Sequence, residues 1–353
     1  MKRLNIFILS ALLLFSCTTK PNISTDPISE YKLTFSRTGK LERMKKGLYG
    51  LGCTSDGKHL YAINGTSAGL LLGTGILRRN DGPYEPRIRT NLIITKDIAR
   101  YDPSIDKWSI NPVRLKPKTF CNAEFVNGEI YIFNGYDRIY YNNHINRVPN
   151  KNLEVLDLYT CMISNASSNP APAWYAGSAT WINKIYVFGG SRAEGAFSNK
   201  LTVYDMYRDE WTKLADMPES MQTRGEIVNG ILYIFGGYNG VSQRSIYTYD
   251  IQQDTWDHIG YMPSSLSAHA ITKHGDFIWL IGDYYNLSQV SVYSTKTREY
   301  HIIKSNMHGR RHAGAEIIGN KLYVFGGNRE SSGSFLSSIQ VADISEIEEL
   351  LSR

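Results

Sequence analysis

Three glutamates stand at one position of a recurring pattern: Glu124 six residues before Ile130, Glu226 six before Leu232, and Glu316 six before Leu322. The matching places in other copies of the pattern hold Ala179, before Ile185, and Thr272, before Ile278. Carboxylates repeated in this way and aimed at a common axis would form a three-fold ring. Such a ring can hold a hard cation such as calcium, or share protons because neighbouring negative charges raise one another's pKa. In a wide, wet channel the same carboxylates would instead be solvated separately or bonded to nearby backbone N–H groups.

A second set of residues suits recognition. Arg78, Arg79 and Tyr84 fall in a long turn-rich stretch, Arg138, Tyr140 and Tyr141 in another, and Trp174, Tyr175, Arg224, His269, Arg311 and His312 lie at connections between repeats or close to them. Aromatic faces provide stacking area, and guanidinium groups are forked donors for carboxylates or sugar hydroxyls. His269 and His312 precede apolar strands, where a structural hydrogen bond is the expected role. No CxxC or Cys–His cluster marks a zinc site, and no cofactor is expected. Beyond Cys17 the cysteines are Cys53, Cys121 and Cys161, an odd count that allows at most one bridge; they read mainly as small buried hydrophobes.

The element that must position these side chains is Lys184-Ile185-Tyr186-Val187-Phe188-Gly189-Gly190. It returns as Ile231–Gly237 and Lys321–Gly327, more weakly as Glu129–Gly135, and in degenerate form as His59–Gly65 and Phe277–Asp283. The copies end at 65, 135, 190, 237, 283 and 327, a period of roughly 40–50 residues after the first intervals, which belongs to propellers and related arrays. Each apolar run reads as a strand buried on both faces, and Gly-Gly supplies positive φ for a tight exit. Further on come Tyr204-Asp205 with Trp211, Tyr249-Asp250 with Trp256, and Tyr101-Asp102 with Trp108, each Trp six residues beyond its Asp.

A Gly-Gly strand followed by Tyr-Asp and Trp resembles the kelch repeat over nearly all of the chain after the leader. The resemblance implies an all-β, six-bladed kelch-type propeller over residues 31–344, with four strands per blade. It says little about chemistry, because the family includes enzymes and plain binding scaffolds. The sixth repeat lacks one strand, so Tyr31–Phe35 is expected to complete that blade beside the strand near Ser338–Asp343 and close the ring. Residues 345–353 form an acidic tail with a short helix. The insertions at 66–91 and 136–151 occupy equivalent connections and should rise on one rim, together with Trp174, Tyr175, His269, Arg310, Arg311 and His312.

Lys2 and Arg3 before the apolar run Leu4–Phe15 have the form of a secretory signal, 1–16. Leu14-Phe15-Ser16-Cys17 resembles a bacterial lipobox, which implies a lipid on Cys17 and a tether over 17–30; an ordinary signal peptide is the alternative. The net charge of +6, or +4 once Lys2 and Arg3 are removed, gives no basic run suited to nucleic acid. The reading is therefore a monomeric propeller tethered in the cell envelope, on the periplasmic face or the outer surface of the outer membrane. Its loop-rich face would bind a carbohydrate or an envelope protein. The alternative is a sugar mutarotase or epimerase, similar in architecture to the sialic acid mutarotases, with catalytic residues that no local motif identifies.

Overall fold

The structure, a computed structural model, describes residues 31–36, 42–69, 91–141, 144–329 and 335–353. The signal segment 1–16, Cys17 and the tether 17–30 lie outside the described residues, as do Arg78, Arg79 and Tyr84.

Blade 3 shows how the repeat folds. Gly177–Trp181, Lys184–Phe188, Leu201–Asp205 and Glu210–Lys213 pair antiparallel in chain order. Along Lys184–Phe188 the period of two sends Ile185 and Val187 into a cluster with blade 2, and Tyr186 and Phe188 into a cluster with blade 4. One sheet thus fills half of two cores, so it cannot be stable without neighbours on both sides. Blades 1, 2, 4 and 5 repeat the same order, and blade 6 has the three strands Gly314–Ile318, Lys321–Phe325 and Ile339–Asp343. Six apolar clusters lie between successive blades, the last joining Tyr323 and Phe325 of blade 6 to Leu60 and Tyr101 of blade 1. The six innermost strands touch in sequence, and Gly52–Ser55 meets Gly314–Ile318, which closes the ring.

The exits behave as the sequence requires. Gly189 and Gly190 have φ of 65° and 91°, and Gly326 and Gly327 of 65° and 86°. The degenerate copies use Asn64-Gly65 and Asn134-Gly135, with φ of 54° and 60° at the asparagines, since Asn tolerates the left-handed region better than other side chains. At Gly189 an added Cβ would meet the Met221 carbonyl oxygen at 2.5 Å.

The Tyr-Asp-Trp signature is a joint between blades. The Tyr101, Tyr204 and Tyr249 hydroxyls donate to Asp106, Asp209 and Asp254 at 2.7, 2.7 and 2.6 Å. Those same aspartates accept the backbone N–H of Glu42, Ser167 and Ala215. The Trp108, Trp211 and Trp256 indoles donate to the carbonyls of Glu42, Ser167 and Ala215. This second acid of the signature follows each Tyr by five residues.

Closure is more divided than expected. Ser36 does lie beside the outer strand of blade 6, its N–H donating to Val341 O at 2.8 Å and its hydroxyl accepting from Val341 N–H at 3.1 Å. Leu33 and Phe35 pack into the core between blades 5 and 6. The regular ladder, however, joins Lys32–Leu33 in parallel to Lys304–Ser305, just past the fourth strand of blade 5. The segment is therefore a two-residue strand that bridges blades 5 and 6. The C-terminal helix Ser345–Leu351 also docks: the Glu348 carboxylate accepts Trp279 Nε1–H at 2.8 Å and lies 2.6 Å from His274 Nδ1, both on blade 5.

Candidate functional site

The insertions are hairpins between the second and third strands of successive blades: Thr66–Gly69 with Asn91–Ile94, Glu129–Tyr141 with His144–Pro149, and Ser191–Ala193 with Ala196–Phe197. They rise on one face, and an Arg147–Glu194 ion pair of 2.5 Å ties the second to the third. Arg138, Tyr140 and Tyr141 run in the long strand opposite Arg147, Ile145 and His144, while their side chains lie outside the described residues.

At the centre of this face is a cavity of about 600 Å³. It brings together Trp174, Tyr175, Arg224, His269 and His312, five of the residues singled out from the sequence. Arg311 is not among them: its guanidinium lies 4.0 Å from the Tyr284 ring and donates to Tyr284 O at 3.3 Å, so it braces a wall residue from behind. Phe120, Phe197, Tyr238 and Tyr285, which no repeat or turn pattern marked, also line the cavity. Phe120 comes from blade 2 and packs against Tyr175 and His312 with ring centroids 3.7 and 5.2 Å away.

A shared backbone device carries these rings. Gly50, Phe120, Tyr175, Ala268 and His312 each precede by two the residue paired with the end of the second strand, and all have φ between 52° and 60°. For a non-glycine residue this conformation costs on the order of 1 kcal/mol. Three of the four that bear it, Phe120, Tyr175 and His312, pack as rings against one another in the cavity wall.

Arg224 carries the unpaired charge. It is half-buried, its Nη1 donates to the carbonyls of Ala176 and Thr223, and among the described residues no carboxylate pairs with it. His269 is 3% exposed and neither ring nitrogen has a partner among the described residues, so the expected structural hydrogen bond is absent. Burial, then the Arg224 charge, pushes its pKa down to about 3; burial, then Arg311 and Arg224, does the same for His312. Both imidazoles are therefore neutral at physiological pH. The one carboxylate in the described lining, Glu194, is held by Arg147.

The glutamate ring is real in its register and different in its chemistry. Glu124, Glu226 and Glu316 pair with Tyr131, Tyr233 and Tyr323, while Thr54, Ala179 and Thr272 hold the other three places. Each glutamate meets the next blade: the Ser178 hydroxyl donates to Glu124 at 2.6 Å, Lys273 Nζ lies 3.4 Å from Glu226, and Cys53 is a close neighbour of Glu316. Among the described residues no group of three His, Cys, Asp or Glu side chains is arranged to hold a metal ion. Burial first, and then the other carboxylates, push Glu316 well above the usual range; burial, opposed by the Ser178 bond and reinforced by Glu226, brings Glu124 to about 7. Burial also raises Glu226, against the pull of Lys273. Burial in the channel thus shifts all three carboxyls toward the protonated form.

A pH effect on stability follows. Because the folded-state pKa of Glu124 is about 7 against an ordinary 4.5, the native state holds a proton that the unfolded chain has lost between those values. Its contribution is full below about pH 4.5 and disappears as pH rises through about 7. Glu124→Gln should therefore unfold like the parent at about pH 4 and melt at a higher temperature at about pH 8. Identical melting curves at both pH values would contradict the raised pKa.

Among the described residues the cysteines form no bridge. Cys121 is buried, with burial pushing its pKa up to about 11, and Cys53 is half-buried, but Cys161 is exposed at a turn and corrects the expectation of a buried thiol.

Comparison with known proteins agrees with this architecture. The family model described as the KLHDC2/KLHL20/DRC7 Kelch-repeats domain matches residues 87–283, more than half of the chain, and a Kelch motif matches residues 309–341. The chain is similar to beta-scruin of Limulus polyphemus, 22% identical over 275 residues that cover 72% of this chain and 30% of that protein. It is 30% identical to kelch-like protein 38 of Rattus norvegicus over 170 residues, 45% of this chain and 29% of the relative. It is also 27% identical to kelch-like protein 23 of Homo sapiens over 140 residues, 39% and 23% of the two chains. The chain thus spans less than a third of the length of each of these relatives. With six sheets closed through shared cores, a Gly-Gly or Asn-Gly exit in five of them, and a family match that spans the whole of blades 2, 3 and 4 and parts of blades 1 and 5, this chain belongs to the kelch-repeat family.

Proposed function

We propose that this propeller is a recognition module of the cell envelope, which binds a carbohydrate or a protein partner in the axial cavity of its loop-bearing face. The observation that carries the reading is a concave, aromatic-walled cavity of about 600 Å³, lined by the half-buried guanidinium of Arg224, with which no carboxylate pairs among the described residues. Buried polar groups are normally satisfied, and cavities of this size with few convergent polar groups suit a ligand. The rival reading as a sugar mutarotase needs a carboxylate free to exchange protons at the substrate. Glu194 is committed to Arg147 and the three channel glutamates are not part of the lining, which favours binding without turnover.

Tyr285 is 76% exposed at the cavity edge, so Tyr285→Ala should leave the melting temperature unchanged. Loss of an exposed aromatic contact should weaken retention on a glycan array, or of a partner pulled down from envelope extract, by about tenfold. Undiminished retention would place recognition elsewhere, and faster equilibration of sugar anomers in the presence of the protein would favour the enzyme.

Export and a lipid on Cys17 are part of the same proposal, supported by the charged flank at Lys2 and Arg3, the apolar run and the Ser16-Cys17 junction. Expressed in full in a bacterial host, the protein should partition with membranes, and Cys17→Ser should release it to the soluble fraction. A parent protein that is soluble without that change would remove the anchor.

A further inference from the structure

Granting that the axial cavity is the binding site, we infer that its ligand is an acidic sugar: a pyranose bearing a single carboxylate, which Arg224 grips. The register makes Arg224 singular. Its place, opposite the last residue of the apolar run, is held in the other blades by Gly52, Asn122, Gly177, Ala270 and Gly314. Five small residues leave room at the mouth of the axis, and one guanidinium from blade 4 projects into it. The strand shifts register between Gln222 and Arg224, which re-aims this part of the blade.

The charges define the acid. Of the two arginines in the described lining, Arg147 is neutralised by Glu194. Arg224 spends one nitrogen on carbonyl oxygens and leaves the rest of its fork without a partner among the described residues. A single uncommitted guanidinium matches one carboxylate, bound through two parallel bonds, and leaves half the charge of a phosphate dianion unanswered. The half-buried Gln222 amide and Ser242 hydroxyl, also in the lining, supply the donors and acceptors that ring hydroxyls need. The walls formed by Tyr175, Phe197, Tyr238 and Tyr284 supply apolar and aromatic area for the C–H face of a ring.

Calorimetric titration of the full chain with glucuronate, glucose, glucose 6-phosphate and the acidic dipeptide N-acetyl-Asp-Glu tests this. Glucuronate should bind at least about tenfold more tightly than glucose or glucose 6-phosphate. Arg224→Gln should weaken glucuronate by about 30-fold or more, the loss expected for one partner of a desolvated charge pair, and leave glucose unchanged. Should the Gln variant melt early, Arg224→Lys, which keeps the charge and loses the fork, should show an intermediate loss at parental stability. Equal binding of glucose and glucuronate, indifferent to Arg224, would overturn the carboxylate assignment and leave a carbohydrate site. Tighter binding of glucose 6-phosphate would overturn the single-charge argument. Retention of the dipeptide alone would overturn the sugar and leave a protein-binding surface, while failure of all four would overturn the inference and weigh against the cavity itself.

Discussion

Glu154→Ala should cost the fold about 3–5 kcal/mol, the loss expected when one partner of a buried ion pair is removed. Lys118 is 0% exposed, its Nζ lies 2.6 Å from Glu154 Oε2, and Glu154 is 4% exposed. The second carboxylate oxygen accepts the Lys116 N–H at 3.0 Å. Removing the acid leaves an ammonium with no counter-charge and an unpaired amide in the same space. The clamp matters for the site because Lys118 lies two residues before Phe120, on the connection that enters the inner strand of blade 2. The double change Lys118→Met with Glu154→Leu should recover most of the loss, since it removes both charges together. Urea unfolding measures both variants. A loss below about 1 kcal/mol for Glu154→Ala would mean that water reaches the pair.

The second large effect is expected at Arg310, a 0% exposed guanidinium that donates to carbonyls in place of a carboxylate. Its Nη1 reaches Gly326 O at 3.1 Å and Ser338 O at 3.0 Å, its Nη2 reaches the Ser338 hydroxyl at 3.3 Å, and its Nε reaches His308 O at 3.2 Å. Burial, then the nearby Arg329 charge, pulls its pKa down to about 9. Arg310→Met fills similar length but strands several buried acceptors at about 1–3 kcal/mol each, so a loss of about 3 kcal/mol or more is expected. Arg310→Lys keeps a charge without the planar fork and should recover only part of it. The segment released carries His312 to the cavity wall and Arg311 to its brace behind Tyr284, so thermal unfolding of Arg310→Met should occur well below the parent. A shift within one or two degrees would show that the fork is dispensable.

Local pattern carried the fold because each blade states it in a few residues: an apolar run, a positive-φ exit and a Tyr-Asp-Trp joint. The functional face was legible only in part. Trp174, Tyr175, Arg224, His269 and His312 could be placed there because connections at equivalent points of a propeller emerge on one side. Arg224 was open to recognition as the odd member of a ring, because it stands eleven residues before Phe235 as Gly52 and Gly177 stand before Ile63 and Phe188, and the register shift at Gln222 falls before it. The partnership of Lys118 with Glu154 joins residues 36 apart with no motif around either. Arg311 illustrates the opposite case: its neighbour Arg310 is swallowed by the blade and Arg311 itself stacks behind Tyr284. Adjacent arginines in sequence can point to entirely different surroundings once a strand begins. The glutamates were aligned correctly, yet spacing could not show that burial in the channel would raise their pKa values.

Hydrogen–deuterium exchange of the full chain, with and without saturating glucuronate, tests the central claim most directly. Binding at the axis should slow exchange together in four segments far apart in sequence, around Trp174-Tyr175, Thr223-Arg224, Ala268-His269 and Arg311-His312, and leave the opposite turns at Asn183, Asp209 and Asp254 unchanged. Protection confined to those opposite turns, or to one blade alone, would contradict an axial site.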